Sequence, residues 1–348
     1  MTIQDLVKDI TVNDLTTFAR SIQTPDDYFL TRSVLAETHV NEVMWRIKST
    51  SRRRNAAKYR SFSASVPFAT RKVAQTVTQG LFPPLGEKLL VDEQELILQE
   101  QARGADQERL IETMYDDVEQ HVGAIKDRLE LAAGDLLVDG KLTLAENGLV
   151  TEADFQVPAA NLPVAAKVWS DPTSDPLADE LRWIELLRST GRPLPEIALT
   201  SYKAQTYLAG NAAYRAAYYG SVVGSSTPTA TLTPTEVASV RARYNLPQIV
   251  TYDVQIDVDD VATRVLPENR WILLPPNRDR FGQTQYGTTA QALALSRGSN
   301  PQIVREDAPG IVVTRGAQDD PVQIWTAGHA AAMPVLYTAD AYVCATVL

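Results

Sequence analysis

Between Ala105 and Leu137 the apolar side chains Leu110, Met114, Val118, Val122, Ile125, Leu129, Ala132 and Leu136 recur at steps of four and three. That spacing puts them on one stripe of a single helix. At about 1.5 Å per residue the segment makes a rod roughly 50 Å long, about three times the mean helix. A stripe so narrow on a rod so long predicts a helix laid across a sheet and spanning the molecule. Glu112, Asp116, Glu119, Lys126, Asp127 and Glu130 fall on the opposite, mostly acidic face, which is expected to stay open.

The segment before this helix is equally constraining. From Ser51 to about Leu90 neither helical nor strand spacing builds a core. The stretch starts basic, with Arg52, Arg53, Arg54, Lys58 and Arg60, then Arg71 and Lys72. Connections longer than roughly 12–15 residues are usually functional or disordered. Short alternating pieces (Thr70–Val77) argue against plain disorder, and Val43, Trp45 and Ile47 alternate with Met44, Arg46 and Lys48 as a strand leading outward. The reading is a long two-stranded arm projecting from the body. Because an isolated hairpin is marginal in water, such an arm needs a partner surface. The basic cluster could touch nucleic acid, meet an acidic protein surface such as the open face of the long helix, or be a solvated loop. Between Arg52 and Arg60 Tyr59 is the lone aromatic, which is too little for base stacking.

The remaining pieces read as mixed α+β without regular βαβ alternation. Residues 1–50 are expected to be helical, interrupted by a turn at Pro25. Asn147-Gly148 between apolar flanks predicts a hairpin. Asp175 followed by Pro176 opens a helix through Leu187. Ile197–Thr200 reads as a buried strand, 201–219 as one helix, and Gly220–Thr235 as a mobile Gly/Ser/Thr/Pro loop. Further strands are expected at Ile249–Ile256, Trp271–Leu274, Gly310–Thr314, Val322–Trp325 and Ala341–Leu348.

Composition narrows the function. The chain has 348 residues, with Lys+Arg 33 against Asp+Glu 43, a net charge of −10. That balance disfavours tight nucleic-acid binding by the chain as a whole. The charged N-terminus predicts no secretory leader, and no apolar run of about 18 residues is present to span a membrane. Nucleophile-elbow, P-loop, dinucleotide and His-Glu-x-x-His patterns are all missing from the sequence. His39, His121 and His329 read as structural, and Cys344 as a small core residue. Asp253, Asp257, Asp259 and Asp260 invite a calcium reading. Counting from Asp253, however, the sixth position is Val258 and the twelfth Arg264, where a calcium loop needs Gly and Glu. Asp171, Asp175 and Asp179 could ligate a cation, but cap and turn duties account for two of them. No catalytic, cofactor or metal residue is assigned.

The ordered set of elements resembles the major capsid protein of tailed bacteriophages, specifically the lambda-type major capsid protein E family. The residues that carry the resemblance are Tyr28-Phe29-Leu30, Val43-Met44-Trp45-Arg46-Ile47, Leu81-Phe82-Pro83-Pro84-Leu85-Gly86-Glu87-Lys88, the long helix with Asn147-Gly148, and Ala332-Met333-Pro334-Val335-Leu336. Ala330-Ala331-Ala332 and the Thr-rich 225–235 stretch fall outside the pattern. The resemblance implies an α+β phage major-capsid fold: N-terminal arm 1–40, extended E-loop 41–88, peripheral domain 89–174 with the spine helix, axial domain 175–300, and a return to the peripheral domain over 301–348. It implies a non-enzymatic subunit without cofactor, forming hexamers and pentamers of an icosahedral shell. That shell would be assembled in the host cytoplasm with scaffolding and portal proteins, open to a decoration protein, around double-stranded DNA that is not read by sequence. The expected intersubunit contacts are Arg52, Arg53, Arg54, Lys58, Arg60, Arg71 and Lys72 of the arm against Glu112, Asp116 and Glu119 of the helix. An encapsulin-like compartment and a soluble metal-binding protein using the 253–260 acidic cluster are the competing readings.

Overall fold

The computed structural model describes residues 12–50, 75–91, 106–146, 148–220, 230–297, 310–319 and 322–348. The long helix is a single element, Asp106–Asp139, ended by Gly140 in the left-handed region at φ +78°. Its buried stripe is Met114, Val118, Val122, Ile125, Leu129, Ala133, Leu136 and Leu137, so Ala133 rather than Ala132 continues it.

The stripe lies on a five-stranded sheet. In chain order its members are β1 (Glu37–His39), β4 (Pro84–Val91), β12 (Gly282–Tyr286), β13 (Val312–Asp319) and β14 (Val322–Leu336). β14 is central. Its first half pairs antiparallel with β13 on one side and β4 on the other, and its second half pairs with β12, which holds β1 in parallel. The segments expected at 322–325 and the Ala-Met-Pro stretch are thus one 15-residue strand. Pro334 is tolerated there because it faces Thr284, whose N–H turns the other way, to Leu35 O at 3.1 Å; no ladder bond needs the missing N–H. Ala330, Ala331 and Ala332 are buried in this strand.

A second sheet runs β15 (Val343–Thr346), β11 (Arg270–Leu274), β7 (Ile197–Thr200), β8 (Gln248–Thr251). Both its faces are covered, and the two-residue period of the strands sorts side chains between two cores. Ala198, Trp271, Leu273, Val343 and Ala345 enter one core, with Trp169, Trp183 and Tyr214. Leu199, Ile272, Leu274 and Cys344 enter the other, with Leu136, Phe281 and Val335. The chain passes between the two sheets more than once: β12 pairs in the first, and β15 pairs in the second.

The helices in chain order are α1 (Val12–Ser21), the spine helix α2, α3 (Pro176–Ser189), α4 (Tyr202–Gly210), α5 (Ala212–Tyr219), α6 (Pro234–Arg243) and α7 (Ala290–Arg297). Asp175 caps α3 as expected, accepting from Ala178 N–H at 3.1 Å. The helix expected over 201–219 is broken at Asn211, which accepts from Ala213 N–H and donates to Ser174 O. The expected 220–235 loop ends early. Thr233 and Glu236 form a reciprocal capping box with Pro234 at the first turn, and α6 follows. The strand expected over 249–256 divides into β8 and β9 (Gln255–Val258).

α3, α5 and α6 meet over one fully buried ion pair. Arg241 grips Glu180 through two nitrogens at 2.8 and 2.7 Å, reaches Pro247 O and Tyr214 Oη, and lies over the Trp271 ring. A buried pair persists only when its other hydrogen-bonding groups are satisfied, and here Arg241 finds all of these partners.

Candidate assembly surface

The arm is rooted in two strands. β2 (Met44–Thr50) and β3 (Gln75–Leu81) pair antiparallel from Met44↔Leu81 out to Thr50↔Gln75. The alternation read from the sequence holds within the strand, where Trp45 and Ile47 are buried; Val43, expected on the same face, precedes β2 and is exposed. Trp45 stacks on Phe155 with ring centroids 5.4 Å apart. Phe155 follows the hairpin of β5 (Lys141–Glu146) and β6 (Leu149–Asp154), the one expected around Asn147-Gly148. After Phe82, which is buried, the chain turns at Pro83 into β4 and joins the main sheet. The seven basic candidates, Arg52, Arg53, Arg54, Lys58, Arg60, Arg71 and Lys72, lie outside the described residues.

On the spine helix, Asp116 and Glu119 are exposed, and the side chain of Glu112 lies outside the described residues. The expected open face does not continue past them. Lys126 is buried and donates to Ile22 O at 2.7 Å; burial lowers its pKa. Asp127 accepts from the Tyr28 hydroxyl, and burial first, then that carboxylate, raises the phenol's pKa. Glu130 is fully buried and accepts four hydrogen bonds: Leu30 N–H at 2.9 Å, Thr31 N–H at 2.8 Å, the Thr31 hydroxyl at 2.6 Å, and the Tyr252 hydroxyl. The chain's own 22–31 segment covers this half of the face. Helical spacing alone puts Glu130 on the polar side; it carries no sign that a carboxylate there would become the tie between the N-terminal segment, the helix and the Tyr252 turn.

The acidic cluster at 253–260 is otherwise employed. Asp253 pairs with Arg264 and accepts from Tyr202 N–H at 2.8 Å. Asp259 and Asp260, at φ +51° and +62°, form the turn between β9 and β10 (Val261–Arg264). Asp171 accepts from Thr173 N–H and Lys167, and Asp179 from Trp169 Nε1. Among the described residues no three His, Cys, Asp or Glu side chains gather to hold a metal ion, and no helix is long and apolar enough to cross a membrane. Cys344 is buried, which pushes its thiol up to about 12. His121 is fully buried, between Glu87 and Thr326.

The phage major capsid protein E family matches residues 11–347. The chain belongs to this family. None of the curated proteins matches it. Among solved structures, a protein assigned as the capsid protein of an Escherichia coli CFT073 prophage superposes with a TM-score of 0.60 at 15% identity, over 97% of this chain and 99% of that one. A phage-related protein of Bordetella bronchiseptica RB50 gives 0.53 at 13% identity, over 95% of each chain. The mature capsid of bacteriophage PhiM1 gives 0.50 at 9% identity, over 93% of this chain and 88% of that one. At these identities the likeness speaks to the fold, which is the phage major-capsid fold. In this E-family member the spine helix packs on the five-stranded sheet, which β4 joins directly after the rooted β2–β3 arm.

Proposed function

We propose that this chain is the building block of an icosahedral phage shell, assembling into hexamers and pentamers around double-stranded DNA. The observation that carries the reading is the near full-length family match on a chain whose β2–β3 hairpin is pinned at its root by Trp45. In this reading residues 1–40 form an N-terminal arm and 41–88 an E-loop. The E-loop's Arg52, Arg53, Arg54, Lys58, Arg60, Arg71 and Lys72 meet Glu112, Asp116 and Glu119 of a neighbouring copy. A repeated head-to-tail contact of this kind closes rings and shells, and specific interfaces bury roughly 1,200–2,000 Å². The 220–235 segment would face the capsomer centre, and scaffolding and portal proteins would direct closure in the host cytoplasm. The net charge of −10 suits a container for DNA, because a basic lumen would hold the incoming duplex.

Electron microscopy of the full chain expressed alone or with a scaffolding protein tests this directly. Closed particles with five- and six-fold capsomers are expected. Small, uniform, unassembled molecules under both conditions would contradict the reading.

A further inference from the structure

Three polar contacts run in series between the arm's return strand, the spine helix and the central strand of the sheet. The Thr326 hydroxyl on β14 donates to Asp117 Oδ2 at 2.8 Å, and the same oxygen lies 3.0 Å from His121 Nε2. On the other side of the ring, His121 Nδ1 lies 3.0 Å from Glu87 Oε1 on β4. His121 is fully buried and Thr326 is 1% exposed, while the Glu87 side chain is 36% exposed. The helix and the strand approach closely here: a Cβ on Gly328 would sit 2.8 Å from that of His121.

Counting protons decides what this chain requires. A carboxylate only accepts, a threonine hydroxyl brings one proton, and a neutral imidazole brings one. Asp117, Thr326, His121 and Glu87 therefore have two protons for three contacts. We propose that Asp117, Thr326, His121 and Glu87 form a proton-operated latch, closed when one proton is taken from solvent and strained when it is lost. The proton enters through the exposed end of Glu87. It rests either on His121, which then donates from both nitrogens, or on Asp117, which then donates to Thr326 while Thr326 donates to Nε2. In both closed forms Nδ1 carries a proton toward Glu87.

The surroundings support this assignment. Burial, with the neighbouring Asp116, raises the pKa of Asp117, against the lowering effects of the Thr326 bond and of His121. From β14, His329 also faces His121; burial and then that charge lower the pKa of His329, and it bonds Thr314 of β13 at 3.0 Å. Lys88 on β4 lies over the Trp325 ring, burial lowers the pKa of Arg315 on β13, and the charged residues of α1, packed on the same stretch of helix, are Asp14 and Arg20.

The sign follows from where the extra proton sits. The closed latch holds one proton more than the opened row, so its contribution is present at the low-pH end and is lost as pH rises. When it opens, two lone pairs face each other in a buried site, and β4, the strand by which the arm re-enters the body, loses a tie to the spine helix. This device does not depend on the shell reading, since all four residues belong to one copy.

Hydrogen exchange of the full chain, corrected for intrinsic rates and followed across the pH range in which the fold persists, tests it. Protection of 84–91 and 324–331 should fall roughly five-fold as pH rises, the worth of one hydrogen bond. In Glu87→Gln the amide N–H₂ donates to a bare Nδ1 and supplies the third proton, so protection should be flat. Nitrogen NMR of the histidine rings is the second measurement: Nδ1 of His121 is expected to be protonated at the low end in the wild type and bare in the variant. The same pH slope in both proteins, or a bare Nδ1 in the wild type, would overturn the latch.

Discussion

At the scale of single residues, Glu130 does the most to hold the N-terminal segment. Its two oxygens satisfy two backbone N–H groups and two hydroxyls from elements about 100 residues away. Glu130→Ala leaves those four donors buried without an acceptor, each costing about 1–3 kcal/mol; the loss should be at least about 4 kcal/mol in denaturant unfolding. Glu130→Gln keeps the volume but turns an N–H₂ toward a donor, so it should be nearly as harmful. If Gln were as stable as the wild type, the shape of the side chain rather than its acceptors would be what matters. This anchor was not legible in the sequence. Helical spacing places Glu130 correctly on the polar face of the rod, but which strand or loop covers that face is set by contacts between distant segments. The buried Arg241–Glu180 pair escaped for the same reason, since both look like ordinary charges on amphipathic helices.

At the scale of elements, local signals that carry their own mechanism were readable. The narrow stripe specified one long helix on a sheet, Asp175-Pro176 specified the start of α3, and Trp45 and Ile47 specified the face on which the arm is rooted. The failures have local causes too. Gly, Ser and Thr around 220–235 hid the Thr233–Glu236 capping box, and Asn211 in an Ala- and Tyr-rich run is a cap that helical propensity does not reveal. The period of β14 was obscured by Ala330–Ala332, whose smallness suits a buried strand under the spine helix. One residue of that helix offers a test by magnitude. Gly134→Ala should gain about 1 kcal/mol of helix propensity. Yet its Cβ would fall 2.2 Å from Val265 O, and overpacking costs typically 1–3 kcal/mol. The contact is to backbone, which yields little, so a net loss of about 1–2 kcal/mol is expected. A lower denaturant midpoint with unchanged slope would confirm it, and a raised midpoint would contradict it.

At the scale of the whole molecule, the account depends on the arm meeting a surface that its own copy does not supply. The self-contained part of the design is plain: the 22–31 segment already covers Lys126, Asp127 and Glu130, while Asp116 and Glu119 stay exposed. The docking claim is therefore confined to the first half of the spine helix. Electrostatic complementarity at such a contact steers association and fixes register. Replacing Arg52, Arg53, Arg54 and Arg60 together by Ser should leave the subunit folded and soluble. The most direct test is sedimentation of the full chain and of this fourfold variant under conditions where the wild type assembles. The account predicts fast-sedimenting particles of megadalton mass for the wild type and slow, folded subunits for the variant. A wild-type chain that stays solitary at high concentration, or a variant that forms normal particles, would contradict it.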